Sequence, residues 1–182
     1  MIITITGKPC SGKGTVSKLF CEKHNFEYLC TGDMFRKLST EQSKSITEIQ
    51  ENEDVKNIDK QVDTYIENLG KEKLNQNIII DSRLAWHFIP KSFKVFIDVD
   101  WETAGERLIQ TNRETEKYTN KEEAIEALKY RWKIENDRYL ELYSITNLDK
   151  TQYDLYIESN DKTPEEICDI IYNEYLKFIN KI

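Results

Sequence analysis

The chain begins with the β-branched run Ile2–Thr6, which is followed at once by Gly7-Lys8-Pro9-Cys10-Ser11-Gly12-Lys13-Gly14-Thr15. This segment fits the pattern G-x-x-x-x-G-K, except that Gly14 stands where Ser or Thr is usual and the hydroxyl comes one residue later, at Thr15. Glycines allow the backbone to wrap its N–H groups around phosphate oxygens, and the dipole of a following helix favours the same anion. The segment, which we call the phosphate loop, therefore predicts binding of a nucleoside triphosphate, with the charge of Lys13 at the terminal phosphates.

Four more short strands are predicted along the chain, at Phe26–Cys30, Asn77–Asp81, Lys94–Asp98 and Tyr153–Ile157. The stretches between them have the apolar spacing of helices. Short apolar strands that alternate with helices are typical of a parallel sheet covered on both faces. We therefore predict one α/β domain over residues 1–182, built on a five-stranded parallel sheet.

Three helical regions can be placed from spacing and from capping residues. The stretch Asp33–Leu69 predicts two or three helices and has few apolar residues suited to a core. We therefore expect a small lobe that lies over the sheet and is not part of its core. A long helix is predicted over Lys121–Tyr143, with Asn120 as its cap and Glu123 completing a capping box. The last helix is predicted to begin at Thr163–Glu166, where a capping Thr precedes Pro and two acids.

The composition excludes several classes of partner. A net charge of −7 at pH 7 gives no overall attraction for DNA, RNA or an anionic membrane surface. Apolar runs are only a few residues long, so no transmembrane helix and no signal peptide are predicted. The cysteines do not have the spacing of a zinc site, which favours reduced thiols in a cytoplasmic protein. We expect a cytoplasmic monomer whose partners are small-molecule nucleotides, with no nucleic acid and no membrane among them.

Arginine is scarce in this chain. Only six of its 26 Lys and Arg residues are Arg. A guanidinium offers a planar fork for bidentate phosphate contacts, which an ammonium group cannot offer. Each Arg is therefore a candidate phosphate ligand, the alternative for any single one being a surface ion pair. The six are Arg36, Arg83, Arg107, Arg113, Arg131 and Arg138.

Several segments together resemble the nucleoside monophosphate kinases. The phosphate loop is similar to their G-x-P-G-S-G-K-G-T, and Thr31–Arg36 is similar to their (S/T)-G-(D/E)-M-(L/F)-R. Asp81–Arg83 ends the third predicted strand where the family has a phosphate-binding Arg. The segments Asn57–Lys60 and Arg131–Tyr139 resemble the I-D-R and R-x-x-x-E-x-x-R-Y segments of the short, archaeal-type cytidylate kinases.

The resemblance implies a fold and an activity. The fold would be the three-layer P-loop NTPase fold, in which residues 33–75 form a helical lobe for the nucleoside monophosphate and residues 107–120 form a short lid. The activity would be ATP-dependent phosphoryl transfer to a nucleoside monophosphate, CMP or dCMP in particular, with Mg²⁺ as the metal.

The resemblance also implies which residues hold the donor nucleotide. Arg107 would contact it, and Thr15 and Asp81 would hold the magnesium ion. The groups that act on the transferred phosphoryl group would be Lys13, Arg113, Arg131 and Arg138. The phosphate loop would supply the remaining contacts to ATP, through Pro9, Cys10, Ser11, Gly12, Lys13, Gly14 and Thr15.

On the acceptor side, Arg36 and Arg83 would hold the monophosphate, with Asp33 and Asp59 as further substrate contacts. Arg36 follows Asp33 by three residues, so both can face the cleft from one helix. No general base is assigned, because the acceptor phosphate oxygen is already ionised near pH 7.

The spacing of Arg131, Glu135 and Arg138 places all three side chains on one face of the long helix. We expect the carboxylate to orient both guanidiniums toward the phosphoryl group that is transferred. The alternative is a solvated stripe of ion pairs on the helix surface.

Four departures from the family pattern keep other functions open. Cys10 stands where Gly or Ala is common, Ser82 and Ser144 replace glycines, and residues 84–88 lack a further glycine. A P-loop kinase for a different acceptor, such as a nucleoside or a metabolite hydroxyl, is one alternative, and it would need Asp33 or Asp81 as a base. A module that binds nucleotide without catalysis is the other.

Overall fold

The structure is a computed structural model and describes residues 1–33, 37, 41, 46–51, 55–111 and 118–181. Two of the predicted site residues, Arg36 and Arg113, lie outside the described residues. The strands are β1 (Ile2–Gly7), β2 (Glu27–Cys30), β3 (Ile78–Asp81), β4 (Phe93–Asp98) and β5 (Leu155–Glu158). The helices are α1 (Lys13–His24), α2 (Ile46–Gln50), α3 (Val55–Glu72), α4 (Ala85–Phe88), α5 (Trp101–Gln110), α6 (Lys121–Tyr143) and α7 (Pro164–Ile179), with a 3-10 turn at Lys150–Gln152.

The five strands form one sheet in the order β2-β3-β1-β4-β5, and every adjacent pair is parallel. This confirms the predicted five-stranded parallel sheet. All six residues of β1 are buried, because the strand is central and has helices on both faces. β1 pairs with β3 through Ile3 and Ile79, and with β4 through Ile5 and Val95.

The two faces of the sheet are covered by different helices. On one face α1 and α7 pack against β1 and β4, with Phe20 and Ile171 fully buried there. On the other face Val62, Ile66 and Leu69 of α3 pack with strand residues of β1 and β3. The expectation that the stretch Asp33–Leu69 lies outside the core is therefore wrong for α3. Its apolar side chains are few, but their spacing of three and four residues places them on one stripe.

The predicted caps are largely confirmed. Asn120 accepts a hydrogen bond from the Glu123 amide at 2.8 Å and begins α6. Thr163 and Glu166 form a full capping box at the start of α7. The box predicted for α6 is wrong in one contact: the Glu123 carboxylate accepts from the amide and hydroxyl of Thr119, one residue before the cap.

The parallel arrangement brings two chain segments together at one end of the sheet. The phosphate loop leaves β1, and the segment from Asp81 to Arg83 leaves the neighbouring β3. Gly7 has no room for a side chain, since a Cβ there would lie 2.0 Å from the Ile97 carbonyl oxygen on β4. Within the described part of the chain no helix is both long enough and apolar enough to cross a bilayer.

Candidate active site

The phosphate loop has the backbone conformation of an anion site. Cys10 and Gly12 adopt left-handed conformations, with φ of 60° and 87°, and Gly12 is the N-cap of α1. Alternation of this kind turns successive N–H groups toward one point, at the positive end of the helix dipole. The hydroxyl of Ser11 is buried and has no hydrogen-bonding partner among the described residues. These features fit a bound polyphosphate.

The ammonium group of Lys13 lies across the loop. It donates to the carbonyl oxygens of Gly7 at 3.1 Å and Lys8 at 2.9 Å. Burial and the positive charge of Arg83 lower the pKa of Lys13 to about 7, although the carboxylates of Asp81 and Glu135 oppose the change. A triphosphate in the loop would supply the missing negative charge, so this Lys is placed to bind one.

Two cations connect the loop to neighbouring segments of the chain. Lys8 forms an ion pair with Asp98 at 2.8 Å and donates to the Val99 carbonyl at 3.0 Å. Arg107 donates to the Cys10 carbonyl at 3.2 Å and to the Ser159 carbonyl at 2.8 Å, which joins the loop to the end of β5. Arg107 also lines the cleft, so it supports the loop from a position where it can contact a donor nucleotide.

A cleft of about 1020 Å³ opens above the phosphate loop. This volume is sufficient for two small ligands of nucleotide size. Every described residue that the sequence proposed for the site lines this cleft, with the exception of Arg138. The list is Pro9, Cys10, Ser11, Gly12, Lys13, Gly14, Thr15, Asp33, Asp59, Asp81, Arg83, Arg107 and Arg131.

Glu135 is the centre of the charge network in the cleft. Its side chain is only 2% exposed, and its two oxygens accept from Nε of Arg83 at 2.8 Å and from Nε of Arg131 at 3.1 Å. Gln50 donates a further hydrogen bond from α2. Burial alone would raise the pKa of Glu135, but the charges of Arg83 and Arg131 outweigh it and lower the pKa to about 2. The carboxylate is therefore ionised at all physiological pH values.

Arg138 does not share this carboxylate, which corrects the expectation that Glu135 orients both arginines of α6. Its Nε donates to Asp59 of α3, and its Nη1 donates to the Gln50 carbonyl at 3.4 Å. The pair with Asp59 is buried, and Nη2 of Arg138 has no partner among the described residues. Arg138 lies behind the wall of the cleft, beside a predicted substrate residue.

Asp81, a predicted magnesium ligand, lies beside the phosphate loop. Asp81 ends β3 with its carboxylate beside the phosphate loop, since a Cβ on Gly14 would lie 3.7 Å from its Oδ2. That oxygen accepts from the Tyr28 hydroxyl at 3.4 Å. The described residues contain no group of three or more carboxylate, thiol or imidazole ligands. A divalent ion held by Asp81 and Thr15 would therefore need oxygens from a bound nucleotide, as Mg²⁺ usually does.

Three residues that line the cleft beside Asp59 were not predicted from the sequence. Gln50, Asp63 and Tyr139 line it together with Asp59. Asp63 is 7% exposed and accepts a hydrogen bond at 2.6 Å from the hydroxyl of Tyr143. The one available signal was the spacing of Asp59 and Asp63, four residues apart and so on the same helix face. That spacing does not indicate which partner α3 packs against.

Comparison with known proteins gives the family of the chain. Residues 3–128 match the family described as an AAA domain. A cytidylate kinase of Methanobrevibacter smithii is 31% identical over 172 residues, which covers 94% of this chain and 96% of that protein. A shikimate kinase from Bacteroides thetaiotaomicron superimposes with a TM-score of 0.64 over 97% of this chain and 98% of that chain, at 16% identity. The structural likeness supports the fold alone.

One further relative differs in length. An S-adenosylmethionine-dependent nucleotide dehydratase of Lacinutrix mariniflava is 32% identical over 177 residues. The match covers 96% of this chain but only 36% of that protein, so the chain corresponds to about a third of the relative.

Proposed function

The chain belongs to the cytidylate kinase family of P-loop kinases, and on that basis we propose that it transfers the γ-phosphoryl group of ATP to CMP or dCMP. The products are ADP and CDP or dCDP. The acceptor is a phosphate monoester, and the transfer takes place in the cleft above the phosphate loop.

One observation carries the proposal: the carboxylate of Glu135 holds the guanidiniums of Arg83 and Arg131 next to the phosphate loop. Arg83 comes from the end of β3 and also donates to the Gly7 carbonyl, so it stands between the loop and α6. Two arginines held by one buried carboxylate place two planar cationic groups beside the loop, and a guanidinium suits the oxygens of a phosphate. An acceptor that carries a phosphate group could contact one of these guanidiniums while the transferred phosphoryl group contacts the other.

The residues present fit ATP and Mg²⁺. The loop amides, the unpartnered Ser11 hydroxyl and Lys13 suit a triphosphate, and Thr15 with Asp81 would hold the ion. Mg²⁺, when bound, neutralises charge on the donor phosphates during transfer. Lys13 would then leave the carbonyl oxygens of Gly7 and Lys8 and donate to phosphate oxygens.

The remaining groups position the reactants. The acceptor phosphate has an ionised oxygen near pH 7, so the chain needs no residue to remove a proton. Arg83 would hold the acceptor phosphate, and Arg131 would contact the group in transfer, where negative charge is spread over three oxygens. Arg138 would act through Asp59, whose carboxyl it holds at the acceptor end.

A coupled assay with ATP and Mg²⁺ tests the proposal across CMP, dCMP, UMP, AMP and GMP. We expect CMP or dCMP to have the highest kcat/KM. Absence of turnover with all five would contradict the function. Analysis of the product separates the alternatives, because a kinase for hydroxyl groups forms a new monoester rather than a diphosphate. Calorimetry that detects ATP binding without any acceptor binding would indicate a non-catalytic module.

A further inference from the structure

Buried Asp63 and half-buried Tyr143 form a pair at the end of the cleft that Asp59 lines, and the phosphate-directed groups do not use this pair. Asp63 lies on α3, one helical turn after Asp59, and lines the cleft together with Val62. The hydroxyl of Tyr143, the last residue of α6, donates to Oδ2 of Asp63 at 2.6 Å. Among the described residues this carboxyl has no other hydrogen bond, and Oδ1 is the oxygen that Tyr143 does not contact.

The hydrogen bond from Tyr143 gives the carboxyl a direction. Because Oδ2 accepts from the hydroxyl, a proton on the neutral acid belongs on Oδ1. The neutral form is well populated near neutrality, since burial raises the pKa of Asp63 to about 7. The Tyr143 hydrogen bond opposes that rise, whereas the charge of Asp59 adds to it. The neutral carboxyl then presents one donor, Oδ1–H, beside one acceptor, Oδ2.

Other charged groups surround the pair. Asp59 is on the same helix, and Arg138 of α6 lowers the pKa of Asp63 through its charge. His87 of α4 faces the pair from a third element, with its ring 6.5 Å from that of Tyr143. Burial lowers the pKa of His87, so this ring is neutral near pH 7 and adds no positive charge there.

We propose that the carboxyl of Asp63, oriented by Tyr143, binds the edge of the acceptor base and selects cytosine over uracil. This inference rests on the proposed function, because it assigns a base to the acceptor of that site. Cytosine presents an acceptor at N3 beside a donor at N4, which matches Oδ1–H beside Oδ2. Uracil presents a donor at N3 beside an acceptor at O4, which is the reverse order. CMP and UMP would share the phosphate contact at Arg83, so each would present the same edge of its base to Asp63.

Adenine presents the same order of donor and acceptor as cytosine, so the test compares the two pyrimidines. The ratio of kcat/KM for CMP to that for UMP is measured in the wild-type protein and in Asp63→Leu, Asp63→Asn and Tyr143→Phe. Tyr130→Phe is the matched control. Tyr130 lies on α6, as Tyr143 does, but it is exposed, and its hydroxyl donates to the Glu51 carboxylate at 2.6 Å. We expect Tyr130→Phe to leave the ratio unchanged.

The variants differ in what they leave for the base. Asp63→Leu removes both groups, and we expect the ratio to fall about 50-fold, in the range of one bidentate base contact. Tyr143→Phe removes the hydrogen bond that orients the Asp63 carboxyl, and we expect the ratio to fall about 10-fold. Asp63→Asn keeps the order, because its carbonyl accepts from Tyr143 and its NH₂ replaces Oδ1–H. We expect this variant to stay within about threefold of the wild type at pH 7.

The pH profile gives a readout that a merely structural role would not change. As pH rises above about 7 the wild-type carboxyl loses its proton and with it the donor, so the preference for CMP should fall between pH 7 and 9. Asp63→Asn cannot ionise and should keep its preference over that range. If Asp63→Leu does not fold, the profile of Asp63→Asn together with Tyr143→Phe still decides the question.

The outcomes separate this inference from the proposed function. Phosphorylation of CMP with an unchanged ratio in Asp63→Leu or Tyr143→Phe overturns the inference and leaves the function standing. A pH-dependent preference in Asp63→Asn equal to that of the wild type also overturns it. Failure of the wild-type protein to phosphorylate CMP overturns both.

Discussion

Arg83 and Glu135 are 52 residues apart in the chain, and their side chains meet at 2.8 Å between Nε and Oε2. The first residue follows β3, and the second lies in the middle of α6. This contact joins the carboxyl end of the sheet, where the phosphate loop also begins, to α6. The acceptor side and the transfer side of the proposed reaction therefore share one carboxylate.

Glu135→Gln tests the importance of that shared charge. The substitution removes the buried anion that both Arg83 and Arg131 contact, and we expect the free energy of unfolding at pH 7 to fall by about 3 kcal/mol. We also expect kcat to fall at least about tenfold, because both guanidiniums lose their position. Urea unfolding and the coupled assay measure the two effects. Glu174→Gln, which breaks an exposed pair with Lys177, serves as the control.

The same carboxylate predicts how stability depends on pH. Its pKa is about 2 in the folded protein and lies near 4.5 when unfolded, so it stabilises the fold above the unfolded value. That contribution is about 3 kcal/mol, and it is lost as pH falls from about 5 to about 2. Urea unfolding at several pH values in this range gives the free energy of unfolding as a function of pH. This free energy should change less with pH in Glu135→Gln than in the wild type. Equal slopes would show that Glu135 is not held ionised by its arginines.

Arg131→Lys tests the role of the guanidinium in the transition state. A lysine at this position can keep the charge but cannot contact both Glu135 and a phosphoryl oxygen through a planar fork. We expect kcat to fall by about 100-fold while the KM for CMP changes less than about threefold. Equal changes in kcat and KM would argue against contact with the group in transfer. Lys133→Arg, at an exposed ion pair with Asp137, should leave both constants unchanged.

Lys13 should take up a proton when nucleotide binds. Its pKa is about 7 in the free protein, and the negative charge of a triphosphate would raise it. At pH 8 calorimetry in buffers of different ionisation enthalpy should detect uptake of about one proton, and ATP affinity should weaken as pH rises from 7 to 9. Lys13→Met should bind more weakly and show no uptake. Lys129→Met, at an exposed residue of α6, should behave as the wild type does.

Ser144 provides a test of backbone strain. It ends α6 in the left-handed conformation, with φ of 56°, and its amide donates to the Leu140 carbonyl at 2.9 Å. Glycine adopts this conformation without a steric cost, so Ser144→Gly should raise the free energy of unfolding by about 0.5 kcal/mol. Ser144→Ala should not raise it. Thermal unfolding of both variants measures the difference, and a Gly variant less stable than Ala would contradict the expected strain.

The glycines that this chain lacks now have a structural explanation at two positions. Cys10 and Ser144 both have positive φ, so the family pattern places glycine where the backbone requires it. The structure gives no corresponding reason for Ser82, whose hydroxyl accepts from the Leu84 amide at 3.4 Å. The departures at Cys10 and Ser144 therefore put residues with a side chain where the backbone favours glycine.

The sequence was sufficient for the strands, the phosphate loop and the helix caps, because each depends on residues within a few positions of one another. The turn at Gly12 and the helix cap at Asn120 could both be predicted from residues adjacent in the sequence. The face on which α3 packs was not available in this way. Its few apolar residues indicate a helix, but only the neighbouring strands β1 and β3 provide the surface that buries Ile66.

The partners of the charged side chains were decided by tertiary structure. Spacing on α6 put Glu135 within reach of both Arg131 and Arg138, and local geometry has no means of choosing between them. The choice was made by residues far along the chain: Arg83 approaches Glu135 from the sheet, and Asp59 approaches Arg138 from α3. Ion pairs in a buried site depend on which opposite charges the fold brings within about 3 Å of each other. The positions of those charges in the sequence do not reveal these distances.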